Sequence, residues 1–297
     1  KMPLTDVPIF LRLIQDLFPA HSNISAKLNE SLKEQAITVC KHRNLQHDKG
    51  FLMKVLQFQE LLDVRHSVML LGPAGCGKTS IWKTLLGTKN LDPSTGDFRQ
   101  KAVGVCAVVN PKAVTSDELY GHMTLSKDWK DGVLSIFMRG MSRNTKELGY
   151  NENQTEKWVV LDGDIDAVWI ESMNTVMDDN KVLTLVSNER IPLSDPMRMV
   201  FEINSLANAT PATVSRAGML YINESDVGWR PYVESWMALR ESDTEKAYLG
   251  GLFDKYIEPL QEGMRKTMKA IVPLRIINRV STICRILEGL LTPSVLE

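Results

Sequence analysis

The chain has 297 residues, of which 43% are hydrophobic, and its 35 basic and 36 acidic residues give a formal net charge of −1. Such a balance predicts neither a nucleic-acid nor an anionic-membrane partner, and no apolar run approaches the ~20 residues of a membrane span. The four cysteines lack C-x-x-C spacing, which predicts reduced thiols in a cytosol-like compartment. Both ends of the chain are expected to be cut from a longer protein.

The predicted elements begin with three helices, at residues 7–18, 26–39 and 51–62, and the first is expected to pack on the domain that follows. Short apolar runs then alternate with helical stretches, which indicates a mainly parallel sheet covered on both faces. Its five predicted strands are residues 67–71, 103–109, 158–161, 197–203 and 218–222. Residues 184–193 are predicted to form an inserted hairpin around a Ser-Asn turn.

Beyond Asp226 the strand signals stop, and helices are predicted at residues 229–240, 245–271 and 274–291. Pro259 and Pro273 are the expected interruptions. The predicted class is α/β, with a five-stranded parallel sheet flanked by helices. Residues 1–225 would form the large subdomain with its N-terminal helical segment, and residues 226–297 a small helical subdomain.

A phosphate-binding loop follows the first predicted strand, because Gly72 to Thr79 match G-x-x-x-x-G-K-[ST]. Its glycines let backbone N–H groups turn around a phosphate, and the next helix directs its positive end at it. Lys78 would reach the β- and γ-phosphates, and Thr79 would ligate Mg²⁺. A glycine-rich turn without ligand does not explain Lys and Thr together. The predicted ATP or ADP contacts here are Gly72, Pro73, Ala74, Gly75, Cys76, Gly77, Lys78, Thr79 and Ser80.

A second acid of the site is predicted at Asp162, which ends the apolar run 158–161 as a Walker B acid ends its strand. It would serve the Mg²⁺, and the alternative is an Asp that only caps the next helix. Efficient ATPases usually carry a Glu at the following position to orient the attacking water, but Gly163 stands there. Asp164 and Asp166 would have to reach back to the γ-phosphate. The sequence therefore predicts nucleotide binding with slow or absent hydrolysis.

Three arginines are candidates for phosphate contacts. Arg216, just before the fifth predicted strand, could act as a finger in a neighbouring subunit's site or form a structural ion pair, and both interpretations stay open. Arg275 and Arg279 lie in the helical subdomain, where a lid arginine could contact phosphate. From the sequence alone, a solvated helix face is the better interpretation for these two.

Several long strings resemble the dynein heavy chain, specifically the second AAA+ module of its motor ring, over nearly the whole chain. They are Asn110-Pro111-Lys112-Ala113-Val114, Glu118-Leu119-Tyr120-Gly121, Leu161-Asp162-Gly163-Asp164-Ile165-Asp166, Asn174-Thr175-Val176-Met177-Asp178-Asp179-Asn180-Lys181 and Ala212-Thr213-Val214-Ser215-Arg216. The string at 187–193 and Tyr221-Ile222-Asn223 are more similar to axonemal than to cytoplasmic heavy chains.

The resemblance implies an AAA+ P-loop NTPase with a C-terminal helical lid, placed in a ring that walks on microtubules. The first module would be the main hydrolysis site, and this module would hold ATP tightly with little turnover. Arg216 would be the arginine finger for the first module's nucleotide, Asn204 the sensor of the γ-phosphate, and Arg279 the lid arginine. Pro8, Ile9 and Phe10 would pack against adenine, although ordinary core packing is an equal alternative for Phe10.

The resemblance also implies partners and a location. Neighbouring AAA+ modules of the same heavy chain would flank this one, and a linker arm would face two inserted hairpins, at residues 110–121 and 184–193. Microtubules would bind through other parts of the motor, and intermediate and light chains through its tail. The implied location is the cytoplasmic cytoskeleton, in the axoneme of a cilium or flagellum.

Three alternative functions are considered. One is a self-sufficient ATPase in which Asp164 or Asp166 replaces the usual Glu. Another is a nucleotide-free ring scaffold, against which the intact Lys78, Thr79 and Asp162 argue. A GTPase is disfavoured because Asn180-Lys181 is not followed by the Asp of a guanine-recognition string.

Overall fold

The computed structural model describes residues 6–18, 29–92, 94–269, 271–272 and 274–291. The strands in these ranges are β1 (Ser67–Leu71), β2 (Gly104–Val109), β3 (Gly121–Met123), β4 (Trp129–Asp131), β5 (Glu156–Asp162), β6 (Val182–Thr184), β7 (Arg190–Pro192), β8 (Met197–Ile203) and β9 (Gly218–Tyr221). The helices are α1 (Val7–Leu17), α2 (Glu30–His42), α3 (Lys49–Val64), α4 (Lys78–Lys89), α5 (Ser116–Tyr120), α6 (Val133–Arg143), α7 (Ala167–Ile170), α8 (Asn174–Met177), α9 (Pro211–Arg216), α10 (Glu224–Val227), α11 (Arg230–Ala238), α12 (Asp243–Thr267) and α13 (Ile276–Leu290).

Five strands form one parallel sheet in the order β2-β5-β8-β1-β9, which confirms the predicted α/β class. Every residue of β1 is buried, because helices cover both faces of the sheet. Leu70 and Val200 belong to the apolar layer under α2, α3 and α4, whereas Met69 and Phe201 belong to the layer on the opposite face. The carboxyl ends of all five strands meet at one edge, where the loop after β1 lies.

The hairpin predicted at residues 184–193 is present as β6 and β7, which pair in antiparallel fashion. Asn188 adopts a left-handed φ of 64° in its turn. The hairpin predicted at residues 110–121 is wrong, because those residues form a turn followed by α5. Thr115 and Glu118 form a reciprocal capping box that starts this helix, and the hairpin comes after it as β3 and β4.

The helices after β9 have an apolar core of their own, which includes Val233, Trp236, Phe253 and Val280. Pro259 lies inside α12 and does not interrupt it, so that expectation is wrong. Buried residues of α12, such as Phe253, hold the helix on this core despite the hydrogen bond that proline removes. Pro273 lies outside the described residues.

The first helix departs from its predicted packing. No residue of α1 is buried, although its sequence forms a strongly apolar stripe. Ile9, Phe10, Leu13 and Leu17 are all exposed. The expectation that α1 packs on the domain after it is therefore wrong, because the described part of the chain offers this stripe no covering surface.

Candidate nucleotide-binding site

The loop between β1 and α4 has a backbone that only glycine adopts readily. Gly75 has a φ of 84°, and a Cβ on it would lie 2.8 Å from Cγ2 of Ile277. Gly77 has a φ of 97° and caps the N-terminus of α4. These conformations turn the loop around a concave space at the start of the helix.

The donors of this loop suit phosphate groups. Within the described ranges, no acceptor is found for the backbone N–H groups of Gly75, Gly77 and Thr79. Nζ of Lys78 donates to the carbonyl oxygens of Gly72, at 2.7 Å, and Pro73, at 3.0 Å. An ammonium group has three donors, so one remains for a ligand. Free amides, a lysine and a helix N-terminus together fit the phosphates of a nucleotide.

Two carboxylates lie below this loop on neighbouring strands. Asp162 ends β5 and is exposed, whereas Glu202 on β8 is buried and is its partner in the sheet register. Oγ1 of Thr79 donates to Oε2 of Glu202 at 2.7 Å, and Nε1 of Trp82 donates to the other carboxylate oxygen. Glu202 was not predicted as a site residue. Its signal in the sequence is an acid inside an otherwise apolar strand.

The position that lacks a catalytic Glu is closely surrounded. A Cβ on Gly163 would lie 3.1 Å from Oδ1 of Asn110 and 3.2 Å from Cδ of Pro111. Oδ1 of Asp164 accepts a hydrogen bond of 2.6 Å from the backbone N–H of Asn204. Asp164 and Asn204 therefore lie side by side at the carboxyl edge of the sheet.

The other proposed substitute for that Glu has a local role. Oδ1 of Asp166 accepts from the backbone N–H of Val168 at 2.9 Å and so caps α7. Its carboxylate therefore satisfies a helix N-terminus. The hypothesis that Asp164 or Asp166 activates water stays a prediction.

An open cleft of about 900 Å³ lies in front of the loop, between the sheet edge and the C-terminal helices. Its walls include Ala74, Asp164, Asn204 and Arg275. Nη1 of Arg275 pairs with Glu224 at 2.7 Å. Arg275 therefore borders the same cleft as Ala74 of the loop, and its contact with a phosphate stays a prediction.

The predicted lid arginine, Arg279, lies one helical turn beyond Arg275. Its Nη1 donates to Oε1 of Gln261 at 2.6 Å, and Arg279 does not line the cleft. Its contact with a phosphate stays a prediction.

A second cavity, of about 400 Å³, lies behind the loop. Apolar side chains from the large subdomain and the C-terminal helices form most of its wall: Leu45, Phe51, Val227, Tyr232, Trp236, Leu239 and Ile277. Pro8, Ile9 and Phe10, predicted to contact adenine, lie exposed on α1 and line neither cavity. The structure does not bring them to the loop, because α11 and the turn after α2 already form the wall there.

Arg216 lies at the end of α9, where its Nε donates to the carboxylate of Asp178. The side chains are 30% and 35% exposed, respectively. Because Arg216 precedes β9 while the phosphate loop follows β1, the two lie at opposite ends of a parallel sheet. Arg216 therefore cannot serve this chain's own loop.

Metal-binding side chains do not form a protein-only site. In the part of the chain that the structure describes, no group of three or more His, Cys, Asp or Glu residues could hold a metal ion. A Mg²⁺ bound with a nucleotide needs fewer protein ligands, because phosphates and water complete its shell. Thr79 and Asp162 at the loop suit that arrangement. No described helix has the length and apolar content that crossing a membrane requires.

Three family models match the chain. Residues 67–217 match "AAA domain (dynein-related subfamily)", residues 1–79 match "Hydrolytic ATP binding site of dynein motor region", and residues 249–297 match "Dynein heavy chain AAA lid domain". Together these matches extend from the first residue to the last, with a gap between 217 and 249.

Curated relatives are similar along nearly all of the chain. It is 45% identical over 293 residues to "Dynein beta chain, flagellar outer arm" of Chlamydomonas reinhardtii, which covers 98% of this chain and 6% of that protein. It is 47% identical over 294 residues to "Dynein beta chain, ciliary" of Tripneustes gratilla, with 99% and 6% covered. It is 48% identical over 296 residues to "Dynein axonemal heavy chain 17" of Homo sapiens, with 98% and 6% covered. The chain thus spans about 6% of the length of these relatives.

Proposed function

This chain belongs to the dynein-related AAA family, and we propose that it is a module of an axonemal dynein motor ring that binds Mg-ATP or Mg-ADP with little or no hydrolysis. The observation that carries the proposal is the loop after β1. Its backbone N–H groups at Gly75, Gly77 and Thr79 lack acceptors among the described residues, and the Lys78 ammonium lies beside them.

The phosphates would be held by the backbone amides of Gly75, Gly77 and Thr79 and by the side chain of Lys78. Thr79 and Asp162 would hold the Mg²⁺, which supplies positive charge against the phosphate oxygens. The apolar cavity behind the loop suits a flat base, since Leu45 and Tyr232 line it and a heterocycle gains from apolar contact. Ser80 also lines this cavity, so the loop joins the two halves of the site.

Slow turnover follows from the residue after Asp162. Gly163 has no group that could orient or deprotonate a water molecule. Asp164 is already engaged by the backbone N–H of Asn204, and Asp166 caps α7. The remaining groups bind and neutralise phosphate without activating the nucleophile.

The output of the module would be mechanical. Arg275, the residue before α13, and Glu224 of α10 border the cleft, so a bound phosphate would compete with Glu224 for the guanidinium. A ligand biases two ring states only through its different affinity for them. Nucleotide held between the sheet edge and the lid helices would therefore stiffen the joint between the subdomains.

Arg216 would act in the neighbouring module rather than here. Its position at the opposite end of the sheet from the phosphate loop supports this, and the carboxylate of Asp178 would orient its guanidinium. Neighbouring modules, a linker arm, microtubules, intermediate and light chains, and an axonemal location are part of the same proposal. The names of the relatives support a dynein heavy chain and an axonemal location, and the remaining partners follow from the resemblance of the sequence to that family.

Equilibrium binding of Mg-ATP and Mg-ADP to the purified chain tests the proposal. Lys78→Ala should weaken binding by about tenfold or more, because it removes a charged hydrogen bond to phosphate. The matched control is Lys83→Ala, on an exposed position of the same helix, and it should bind as the wild type does. No binding by the wild type, or equal binding by Lys78→Ala, would contradict the proposal and favour a nucleotide-free scaffold.

A further inference from the structure

Glu202 is a buried acid without an ion pair among the described residues. Only 4% of it is exposed, and its two carboxylate oxygens accept from the neutral donors Thr79 and Trp82. A buried carboxylate usually has a cationic partner, since removing its charge from water is costly. Lys78, the nearest cation in the sequence of the loop, donates to backbone carbonyls instead.

We propose that Glu202 is a positioning residue for the Mg²⁺ of the bound nucleotide, acting through the Thr79 hydroxyl. This inference rests on the proposed nucleotide binding. A hydroxyl group has one proton and two lone pairs. Because Thr79 gives its proton to Oε2 of Glu202 at 2.7 Å, the lone pairs of its Oγ1 are left for a metal ion.

Trp82 fixes the orientation of this carboxylate. It lies three residues after Thr79, so both side chains leave the same face of α4. The indole is 1% exposed and donates its N–H to the second oxygen of Glu202. With both oxygens engaged, the carboxylate cannot turn away from Thr79 without breaking a buried hydrogen bond.

The register of the sheet separates the roles of the two acids. Asp162 and Glu202 are paired across β5 and β8, so their side chains leave the same face of the sheet. Asp162 is exposed and can act on a metal through water, whereas Glu202 is enclosed and reaches only Thr79 and Trp82. The positive charge of Mg²⁺ would also offset the unpaired charge of Glu202.

The test compares the dissociation constant of ATP in Mg²⁺ with that in EDTA, for wild type and Glu202→Gln. The amide NH₂ of Gln must face one of two donors, so Thr79 or Trp82 loses its acceptor. We expect Glu202→Gln to reduce the gain in affinity from Mg²⁺ by about 10- to 100-fold, as for other residues that orient a metal ligand. The affinity for ATP in EDTA should stay unchanged, whereas a general structural defect would lower the affinity in both conditions.

The matched control is Glu156→Gln. Oε2 of Glu156 accepts a hydrogen bond from Nε1 of Trp158 at 2.9 Å. This is a second indole–carboxylate hydrogen bond, at the opposite end of the sheet from Glu202. This variant should keep the wild-type Mg²⁺ effect. If Glu202→Gln fails to fold, Trp82→Phe keeps the carboxylate and should reduce the Mg²⁺ effect about threefold, the loss expected of one hydrogen bond.

The outcomes separate this inference from the proposed function. A wild type that binds no ATP in either condition contradicts nucleotide binding itself. A wild type that binds more tightly with Mg²⁺, beside a Glu202→Gln variant with the same gain, overturns the role of Glu202 alone. If Glu202→Gln does not fold and Trp82→Phe does, an unchanged Mg²⁺ effect in Trp82→Phe would overturn the role of Glu202.

Discussion

The guanidinium of Arg139 binds the carboxylate of Glu189 through two hydrogen bonds, from Nε to Oε1 at 3.0 Å and from Nη2 to Oε2 at 2.6 Å. The same guanidinium binds Asp131 through bonds of 2.7 and 2.8 Å. Asp131 ends β4, and Glu189 lies in the turn between β6 and β7. Arg139 therefore fastens the two inserted hairpins to α6 and to each other. The two hairpins are therefore expected to move together.

Replacing Arg139 with Met should release both hairpins together. The variant leaves two carboxylates near each other without their common partner, and each lost ion pair is worth about 1 kcal/mol. Hydrogen exchange should speed up in both 121–131 and 182–192 while the central sheet keeps its protection. The control Arg143→Met removes only a bond of 2.9 Å to Glu189 and should affect the second hairpin alone. Faster exchange in a single hairpin of Arg139→Met would contradict the link.

The stability that Arg139 contributes through its ion pairs with Asp131 and Glu189 should depend on pH. The hydrogen bonds from Arg139 hold the pKa values of Asp131 and Glu189 below their usual ranges. A carboxylate with a lowered folded-state pKa contributes stability above its unfolded pKa, about 4, and loses it as the pH falls through the folded-state pKa. The difference in stability between wild type and Arg139→Met should therefore be constant near neutral pH and shrink below about pH 4. Thermal unfolding of both proteins at several pH values measures this difference in stability. A difference that grows in acid would contradict the prediction.

The cavity behind the phosphate loop gives a prediction about the base. Tyr232 lines this cavity, whereas Ile9, on the helix expected to contact adenine, is 65% exposed and does not. Tyr232→Ala should weaken ATP binding about fivefold through lost apolar contact, and should leave the binding of inorganic triphosphate unchanged. Ile9→Ala should change neither. Weaker ATP binding by Ile9→Ala alone would return the base site to α1.

The sequence predicts the sheet well because its signal is local. A mainly apolar run indicated the strand Met197–Ile203 to the residue, and the glycine pattern indicated the phosphate loop. The hydrogen-bond partners of Glu202 could not be predicted from the sequence, since they depend on the register of β5 against β8 and on which face of the sheet α4 covers. Both faces of this sheet are buried, so the apolar pattern of β8 alone does not distinguish one register from the next.

The cavity behind the phosphate loop was not predicted from the sequence, for a related reason. Its walls come from segments far apart in the chain, as the hydrogen bond from the Gln46 N–H to Oγ of Ser235 illustrates. Pro259 is the opposite case, in which a reliable local rule yields to packing. Its helix continues because Phe253 and Ile257, before it, are buried in the lid core.

Restoring an acid after Asp162 should raise hydrolysis. Gly163→Glu would place a carboxylate beside Asn110, and we expect a rate gain of about tenfold or more from a positioned base. Gly163→Ala is the control, because its Cβ meets the same neighbours at 3.1 and 3.2 Å and it cannot act as a base. Both substitutions crowd these neighbours and should lower the thermal stability, but Gly163→Ala should not raise the rate of hydrolysis. If Gly163→Glu gains nothing and Asp164→Ala abolishes existing hydrolysis, the self-sufficient ATPase is the better hypothesis.

His66 should make the fold sensitive to mild acid. Its Nε2 lies 2.8 Å from the carbonyl oxygen of Val176, and burial lowers the pKa of the imidazole from its ordinary value. The unfolded chain therefore binds more protons as the pH falls through about 6.5, and the folded state loses stability there. The melting temperature of wild type should drop between about pH 7.5 and 5.5, and His66→Gln should remove part of that drop. His47→Gln, at an exposed position, should keep the wild-type dependence, and an equal drop in all three proteins would exclude His66 as the cause.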